Sequence, residues 1–490
     1  MARCTSACFY PLLVTAGLVL ALAACRDKAP STGSPRAIVL VTIDTLRADH
    51  VSFNGYAEPT TPFLDGLARR GVVFKQAYAP SSWTPLSMAS LFTSLYPTSH
   101  GVAYKKFSDR AGRSQPLLHQ SVTTLAERLK AAGYRTIGVP SNPLLRSQLG
   151  FAQGFDQYAM DTRFPNATQV NTITRRKLRE AFGPDYRTAW KKEKVFLWIH
   201  YIDPHEPHHP YTPWVESRAP ELLKPFPRNP AGMDRFELGK TFLPLEPTGA
   251  RHLQVLYDSE ILRTDDGLKE LWRELEPEDD VLLVVTSDHG DEFGEHGALG
   301  HAVTLYEEVL RVPLMIRWPA RLSGVNQIDI PVSLLDVMPT VLELAGAAPP
   351  TPTQGRSLVP LMGGNPLDGN PLDGKPLDGK PLDGNPLEPR PLFFELYTGG
   401  KESVARMAVR EGPWKLLWKG NDTGRKQLYQ LEQDPGERTD LAAREPEVVK
   451  RLEQTFEREW KRMPFPPPVQ ERTLTKEDTD ELRALGYVGP

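Results

Sequence analysis

The chain has 490 residues, 40% hydrophobic and 24% charged, which is typical of a folded globular protein with one large domain and a smaller one. Its formal net charge of −3 gives no overall basic field, so nucleic acid is excluded as an expected partner. The function therefore has to be inferred from individual sites.

The first 25 residues differ in composition from the rest of the chain. Arg3 precedes an apolar run over 9–24 that ends directly before Cys25, and this pattern resembles a bacterial lipoprotein signal. We expect residues 1–24 to be removed, Cys25 to be lipidated and residues 25–35 to form a flexible tether, rather than the run being kept as an anchor helix. The predicted location is the bacterial cell envelope, with the protein attached to the membrane on its periplasmic or outer face. Cys25 would then be the only remaining cysteine, which excludes an internal disulfide.

Five apolar stretches predict strands, and four periodic stretches predict helices. The strands are expected at 37–43, 134–139, 194–202, 281–285 and 312–318, and the helices at 60–74, 121–132, 251–276 and 333–345. Because strands alternate with helices, the sequence predicts an α/β fold with a large mixed, mainly parallel sheet flanked by helices. We assign residues 36–362 to this main domain.

The sequence changes character after residue 362. Residues 363–389 repeat the pattern NPLDG, whose regular Pro and Gly predict an exposed, weakly ordered insert, with a surface-binding repeat as the alternative. Short strands predicted at 404–410, 414–419 and 427–431 follow, and then an amphipathic helix at 446–463. Residues 390–490 are therefore predicted to form a subdomain made of a small antiparallel sheet and one helix.

Polar side chains come directly after three of the predicted strands. Asp44 follows the first strand, His205 lies just past the strand at 194–202, and Asp288 and His289 follow the strand at 281–285. The carboxyl ends of parallel strands meet at one edge of a sheet, where ligands bind. Carboxylate and imidazole together suit a divalent cation, although an acidic, solvated turn would produce the same composition.

Residues 81–97 contain many hydroxyls at the predicted start of a helix. At a helix N-terminus the dipole favours an incoming anion, and a metal-bound hydroxyl would be a usable nucleophile. Ser and Thr are also the usual N-caps, so these residues alone leave a capping role open.

Several ordered motifs make the chain similar to the sulfatases of the alkaline phosphatase superfamily. They are IDTLRADHVS, ASLFTSLYPTSHGV, HYIDPHEP, SDHGDEFGEHG with LYEEVLRVPL, and the later PWKLLWKG, QLYQLEQDPGERTDLA and LRALGYV. The resemblance implies a metal-dependent hydrolase of sulfate or phosphate esters, with a nucleophile at the start of a helix and a small C-terminal sheet.

The residue at the nucleophile position departs from the family's pattern. Sulfatases carry a formylglycine made from the first residue of Cys/Ser-x-Pro-x-Arg, and alignment on Ala89-Ser90-Leu91 puts Thr84 at that position. Because threonine cannot give the aldehyde, the resemblance implies a metal-bound Thr84 nucleophile. Such threonines occur in the superfamily's nucleotide phosphodiesterases and phosphoethanolamine transferases.

The resemblance also implies the metal and substrate residues. The predicted ligands of one divalent ion are Asp44, Thr84, Asp288 and His289, and the imidazole favours zinc or manganese, with calcium as the alternative. His205 and His301 stand where the family has anion-contacting groups, and we assign both of them substrate-binding and catalytic roles. Asn142, which stands in place of the family's Lys-x-His, is a further substrate-binding candidate.

The expected substrate is a sulfated or phosphorylated small molecule or glycan. One alternative is the transfer of a phosphoryl or phosphoethanolamine group to cell-envelope glycan or lipid, although such transferases usually carry several transmembrane helices. The other alternative is an inactive sulfatase-like protein that binds an anion or polysaccharide, although an inert protein has no need of a complete ligand set. The sequence does not specify an oligomeric state.

Overall fold

The computed structural model describes residues 33–102, 114–161, 164–224, 246–277, 279–322, 326–362, 389–398, 404–420 and 425–464, with short stretches in 231–233 and 466–480. Cys25, the tether up to residue 32 and the NPLDG repeat apart from Pro389 lie outside the described residues. None of the helices among these described residues combines the length and the hydropathy of a membrane-spanning segment.

The main domain alternates strands and helices, and the C-terminal part is mostly strands. The strands are β1 (Ala37–Ile43), β2 (Val72–Tyr78), β3 (Ser114–Pro116), β4 (Arg135–Val139), β5 (Gln157–Tyr158), β6 (Val195–Tyr201), β7 (Val281–Ser287), β8 (Glu292–Phe293), β9 (Leu299–Gly300), β10 (Arg311–Arg317), β11 (Asn326–Ile328), β12 (Val332–Ser333), β13 (Leu392–Thr398), β14 (Val404–Glu411), β15 (Trp414–Lys419), β16 (Lys426–Gln430) and β17 (Glu471–Thr473). The α-helices are α1 (Pro62–Ala68), α2 (Thr84–Thr93), α3 (Pro97–His100), α4 (Leu125–Ala131), α5 (Ala167–Phe182), α6 (Tyr186–Ala189), α7 (Thr212–Arg218), α8 (Pro247–Leu275), α9 (Glu307–Leu310), α10 (Val337–Leu344) and α11 (Pro446–Trp460).

Nine strands form the large sheet, in the order β11-β2-β10-β7-β1-β6-β4-β5 with β12 also beside β2. The central strands β7, β1, β6 and β4 pair in parallel, whereas β10 is antiparallel to both of its neighbours. The predicted mixed, mainly parallel sheet is therefore confirmed.

The central strands are buried on both faces. Every residue of β1, β6 and β7 is buried, and successive side chains of β1 alternate between two apolar cores. Ile38 and Leu40 belong to one core, and Val39 and Val41 belong to the other. This two-sided burial is the reason that these strands are mostly apolar in the sequence, without an alternation of polar and apolar residues.

The helix predicted at 60–74 is wrong in its second half. The helix α1 ends at Ala68, and Val72, Val73 and Phe74 begin the buried strand β2. β-Branched and aromatic residues in a short apolar run fit a strand that packs on both faces. A Cβ on Gly71 would lie 3.0 Å from the carbonyl oxygen of Ile316, so the chain passes close to β10 where the helix stops.

The C-terminal strands form a separate four-stranded antiparallel sheet in the order β13-β14-β15-β16. Leu452 of α11 packs on one face of this sheet with Val409 and Leu416, while Phe394 and Ala408 join a core of the main domain. The predicted small sheet with one helix is confirmed, and the strand β13 is an addition to the prediction.

Two buried polar contacts join this small sheet to the main domain. The ammonium of Lys415 lies 3.0 Å from the carboxylates of both Glu307 and Glu437, and its side chain is fully buried. Glu395 of β13 accepts hydrogen bonds from the backbone N–H of Thr98 at 2.8 Å and from its hydroxyl at 2.5 Å. The Lys415–Glu307 contact holds the small sheet against α9, and the Glu395–Thr98 contact holds it against α3.

Candidate active site

The predicted metal ligands come together at the carboxyl edge of the central strands. Ile43 of β1 pairs in register with Ser287 of β7, so Asp44 and Asp288 leave neighbouring strands at the same level. The Nε2 atom of His289 lies 3.8 Å from Asp44 Oδ1 and 3.4 Å from Asp288 Oδ2. All of these side chains are fully buried.

Thr84 faces this group from the start of α2. It is the first residue of the helix, and its Oγ1 lies 3.1 Å from His289 Nε2. The N-cap position is occupied by Trp83, whose side chain makes no capping hydrogen bond. The Thr84 hydroxyl therefore contacts the predicted metal ligands and is not used as a helix cap.

Two tight turns aim the acidic side chains. Thr45 follows Asp44 with a φ of 57°, which is an unfavourable conformation for a β-branched residue. Its backbone N–H donates to Asp288 Oδ1 at 3.3 Å, and its carbonyl accepts from the hydroxyl of Tyr257 at 2.7 Å. At the second turn, a Cβ on Gly290 would lie 2.0 Å from the carbonyl oxygen of Glu308, so only glycine fits after His289.

Two side chains orient the carboxylate of Asp44, and sequence reasoning missed one of them. The amide of Asn142 donates to Asp44 Oδ2 at 2.7 Å, and its Nδ2 also lies 3.5 Å from Thr84 Oγ1. His200 Nε2 lies 3.3 Å from the same Asp44 oxygen, while its Nδ1 lies 2.8 Å from the Thr42 hydroxyl. His200 is an inward-facing residue within β6, and its only signal in the sequence is a polar residue inside an apolar strand.

The two carboxylates differ in their pKa directions. Burial alone would raise the pKa of Asp44, but the hydrogen bond from His200 and the positive potential of His205, His200 and His289 hold it well below its ordinary value. Burial and the neighbouring charge of Asp44 raise the pKa of Asp288. Two carboxylates placed this closely repel each other when both are ionised.

The open oxygens of this group suit a cation. Asp44 Oδ1 and Asp288 Oδ2 are buried and have no hydrogen-bond partner among the described residues. The ligand atoms of Asp44, Asp288 and His289 all lie within 4.8 Å of one another. His289 Nδ1 lies 2.9 Å from the carbonyl of Gly290, to which it can donate, and Nε2 then carries the lone pair. Since buried charges in proteins are paired or bind metals, this donor set fits the predicted divalent ion.

His205 and His301 lie beside this group, together with Glu206, which sequence reasoning did not single out. The ring centroids of His301 and His289 are 4.5 Å apart, and those of His205 and His301 are 4.8 Å apart. The Nδ1 of His301 lies 2.9 Å from Asp291 Oδ1. His205, Glu206 and His301 form a second buried group whose ligand atoms lie within 4.8 Å of one another, so they too could hold a cation.

The remaining acidic residues of 288–301 have structural partners. Asp291 orients His301, Glu292 accepts from the hydroxyl of Thr304 at 2.5 Å, and Glu295 pairs with Arg47 at 2.6 Å. The solvated acidic turn that the composition also allowed is thus replaced by a buried, hydrogen-bonded loop.

The sequence profile of the family described as Sulfatase matches residues 36–347 of this chain. This match covers more than half of the chain. The chain belongs to the sulfatase family. Membership of this family makes it a metal-dependent hydrolase that acts on sulfate or phosphate esters.

Relatives and solved structures agree with membership of the sulfatase family. The chain is 26% identical over 408 residues to the multifunctional alkaline phosphatase superfamily protein PehA of Trinickia caryophylli, covering 68% of this chain and 78% of that protein. Its fold is similar to that of BT4656, solved in complex with D-glucosamine-2-N,6-O-disulfate, with a TM-score of 0.67, 19% identity and coverage of 87% and 98%. It is also similar to the phosphonate monoester hydrolase of Silicibacter pomeroyi, with a TM-score of 0.62, 19% identity and coverage of 88% and 96%.

Proposed function

We propose that this sulfatase-family protein hydrolyses sulfate or phosphate esters with Thr84 as its nucleophile. The observation that supports this role is the position of the Thr84 hydroxyl, 3.1 Å from His289 Nε2 at the start of a buried ten-residue helix. The proposed substrate is a sulfated or phosphorylated small molecule or glycan. PehA is described as multifunctional, and the structural neighbours include both a complex with a disulfated sugar and a phosphonate monoester hydrolase, so we keep both ester types in the proposal.

One divalent ion would be held by Asp44, Thr84, Asp288 and His289. When bound, such an ion lowers the pKa of a coordinated hydroxyl and neutralises charge on the oxygens of the ester. The imidazole in the set favours zinc or manganese over calcium. Asn142 and His200 both contact Oδ2 of Asp44, so Oδ1 would be left to hold the ion.

The chemistry at Thr84 takes two steps. The hydroxyl loses its proton to solvent, and Oγ forms a bond to sulfur or phosphorus while the bond to the alcohol oxygen breaks. The departing alcohol takes a proton from His205 or His301. The ring of His301 lies beside that of His289, and the ring of His205 lies beside that of His301. Water then attacks the sulfur or phosphorus, the bond to Oγ breaks, and Thr84 is regenerated.

Asp291 has a positioning role in this scheme. Its carboxylate lies 2.9 Å from His301 Nδ1, and a proton on Nδ1 fixes the orientation of the imidazole ring.

The test compares rates on an aryl sulfate, a phosphate monoester, a phosphate diester and a phosphonate monoester, each with zinc, manganese and calcium. We expect turnover of at least one ester, and a loss of about a thousandfold or more in Thr84→Ala. Thr93→Ala, at the other end of α2, is the matched control and should keep its activity. Full activity in Thr84→Ala would refute the nucleophile assignment. Activity only when an acceptor alcohol is supplied would favour the transferase, and an empty metal site without turnover would favour the inactive binding protein.

Metal analysis of the purified protein separates the two ligand groups. One equivalent that is lost in Asp44→Asn supports the single-ion site. A second equivalent that is lost in Glu206→Gln would instead show that His205, Glu206 and His301 hold an ion of their own.

We also propose that the protein is attached to the bacterial cell envelope through lipidated Cys25, at the periplasmic or outer face. The support is the apolar run of 9–24 followed directly by cysteine. Cys25→Ser should move the protein from the membrane fraction to the soluble fraction, and unchanged membrane attachment would contradict this location.

A further inference from the structure

A cavity of about 510 Å³ lies between the loop after β7 and the C-terminal sheet. Thr304 lines this cavity, and its carbonyl accepts from the hydroxyl of Ser82 at 2.7 Å. The carbonyl of Ser82 in turn accepts from the N–H of Ala302 at 2.8 Å. Ser82 is two residues before Thr84, and Ala302 directly follows His301. One wall of the cavity is therefore bonded to the segments that carry the candidate active site.

The opposite wall is strongly basic. Arg406 at the start of β14, Lys419 at the end of β15 and Arg425 before β16 all line the cavity. None of the described lining residues is a carboxylate. Within the described part of the chain, these three cations form no ion pair and no side-chain hydrogen bond. On the same sheet, Lys415 and Lys426 do not line the cavity, and both pair with carboxylates.

The strand register places two of these cations directly opposite each other. Arg406 and Lys419 are partners across the β14–β15 ladder, and directly opposed side chains lie on the same face of a sheet. Like charges at such positions destabilise the sheet unless an anion lies between them. The pair therefore costs stability in the protein alone.

Arg406 is half-buried, and burial lowers the pKa of its guanidinium. The carboxyl that interacts with it electrostatically is Glu292. Burial raises the pKa of Glu292 to about 8, so this group is mostly uncharged at neutral pH and does not neutralise Arg406. A guanidinium in this situation is suited to bidentate binding of an oxyanion.

We propose that this basic cavity binds a second anionic group of the ester substrate, a sulfate, phosphate or carboxylate distant from the bond that is cleaved. The link between this cavity and catalysis rests on the proposed function. The anion binding itself rests only on the residues of the cavity. It makes the preferred substrate a polyanion, with one charged group at Thr84 and another between Arg406 and Lys419.

The test measures binding of sucrose octasulfate, a polyanion that does not depend on ester cleavage, by calorimetry with the full-length protein. Loss of one charge-assisted contact should raise the Kd about tenfold in Arg406→Gln and in Lys419→Gln. Arg444→Gln, an exposed arginine of the same subdomain, is the matched control and should keep the wild-type Kd. Melting temperatures of the variants exclude misfolding, and the Lys419 variant replaces the Arg406 variant if the latter does not fold.

Turnover of an ester without a second charge, such as 4-nitrophenyl phosphate, separates this inference from the proposed function. We expect Arg406→Gln to leave that turnover within twofold of wild type. An equal Kd in wild type and both cavity variants, an equal loss in Arg444→Gln, or no binding to wild type would overturn the inference. If wild type cleaves no ester, the proposed function fails, while the calorimetric comparison still decides whether the cavity binds anions.

Discussion

Replacing His200 tests how the structure prepares Asp44 for a metal. Two donors reach Asp44 Oδ2, the amide of Asn142 at 2.7 Å and the imidazole of His200 at 3.3 Å. A hydrogen bond to an ionised group contributes about 1.5–3 kcal/mol, and the longer of these two lies at the lower end of that range. We therefore expect His200→Phe, which keeps an aromatic ring in the strand, to weaken metal binding about tenfold.

The assay is competition for zinc or manganese with a chromophoric chelator of known affinity. His200→Gln can still donate to Asp44 and should recover most of the affinity. His119→Phe changes a histidine outside the site and should have no effect. Affinity within twofold of wild type in a folded His200→Phe protein would refute this role, and so would a Gln variant as weak as the Phe variant.

Two further predictions concern the junction between the main domain and the small sheet, and both are read from thermal unfolding. Lys415→Met leaves two buried carboxylates without their cation, which should lower the free energy of unfolding by about 3–5 kcal/mol. Lys450→Met, at an exposed position, should leave the stability unchanged. Equal melting temperatures for the two variants would contradict the buried network. Burial raises the pKa of Glu395 to about 7, so the stability that this group contributes is complete below about pH 4.5 and is lost as the pH rises through 7. Glu395→Gln keeps an acceptor for Thr98 and cannot ionise. It should therefore melt about 3 °C above wild type at pH 8 and show no such gain at pH 5. A gain of the same size at both pH values would contradict the pKa shift.

The large sheet could be predicted from the sequence because its central strands are unusually uniform. Both faces of β1, β6 and β7 are buried, so each strand is a mostly apolar run followed by a polar residue. Burial on both faces also explains why the helix predicted at 60–74 was too long. The buried start of β2 has no alternation of polar and apolar residues that would separate it from a buried helix face. The strand β13 was not predicted, although Pro389 and Pro391 stand directly before its apolar run.

The site was predictable where side chains follow a strand end, and it was less predictable elsewhere. Asp44, Asp288 and His289 stand at such ends, and parallel pairing brings them together. His200 faces inward from within β6, so its contact with Asp44 depends on the register between β1 and β6. Glu206 lies in a loop where the position of the carboxylate depends on tertiary packing. The basic cavity requires a β14–β15 register and a domain contact that no local pattern encodes.

In the proposed mechanism, Thr84 forms a covalent bond to the sulfur or phosphorus of the substrate. Acid quenching during turnover of the best ester, followed by mass spectrometry of the peptide that contains α2, detects this bond. We expect one added sulfate or phosphate group on Thr84, present with wild type and absent in Thr84→Ala. An unmodified Thr84 in an enzyme quenched during an observed burst, or a modified residue elsewhere in the chain, would contradict it.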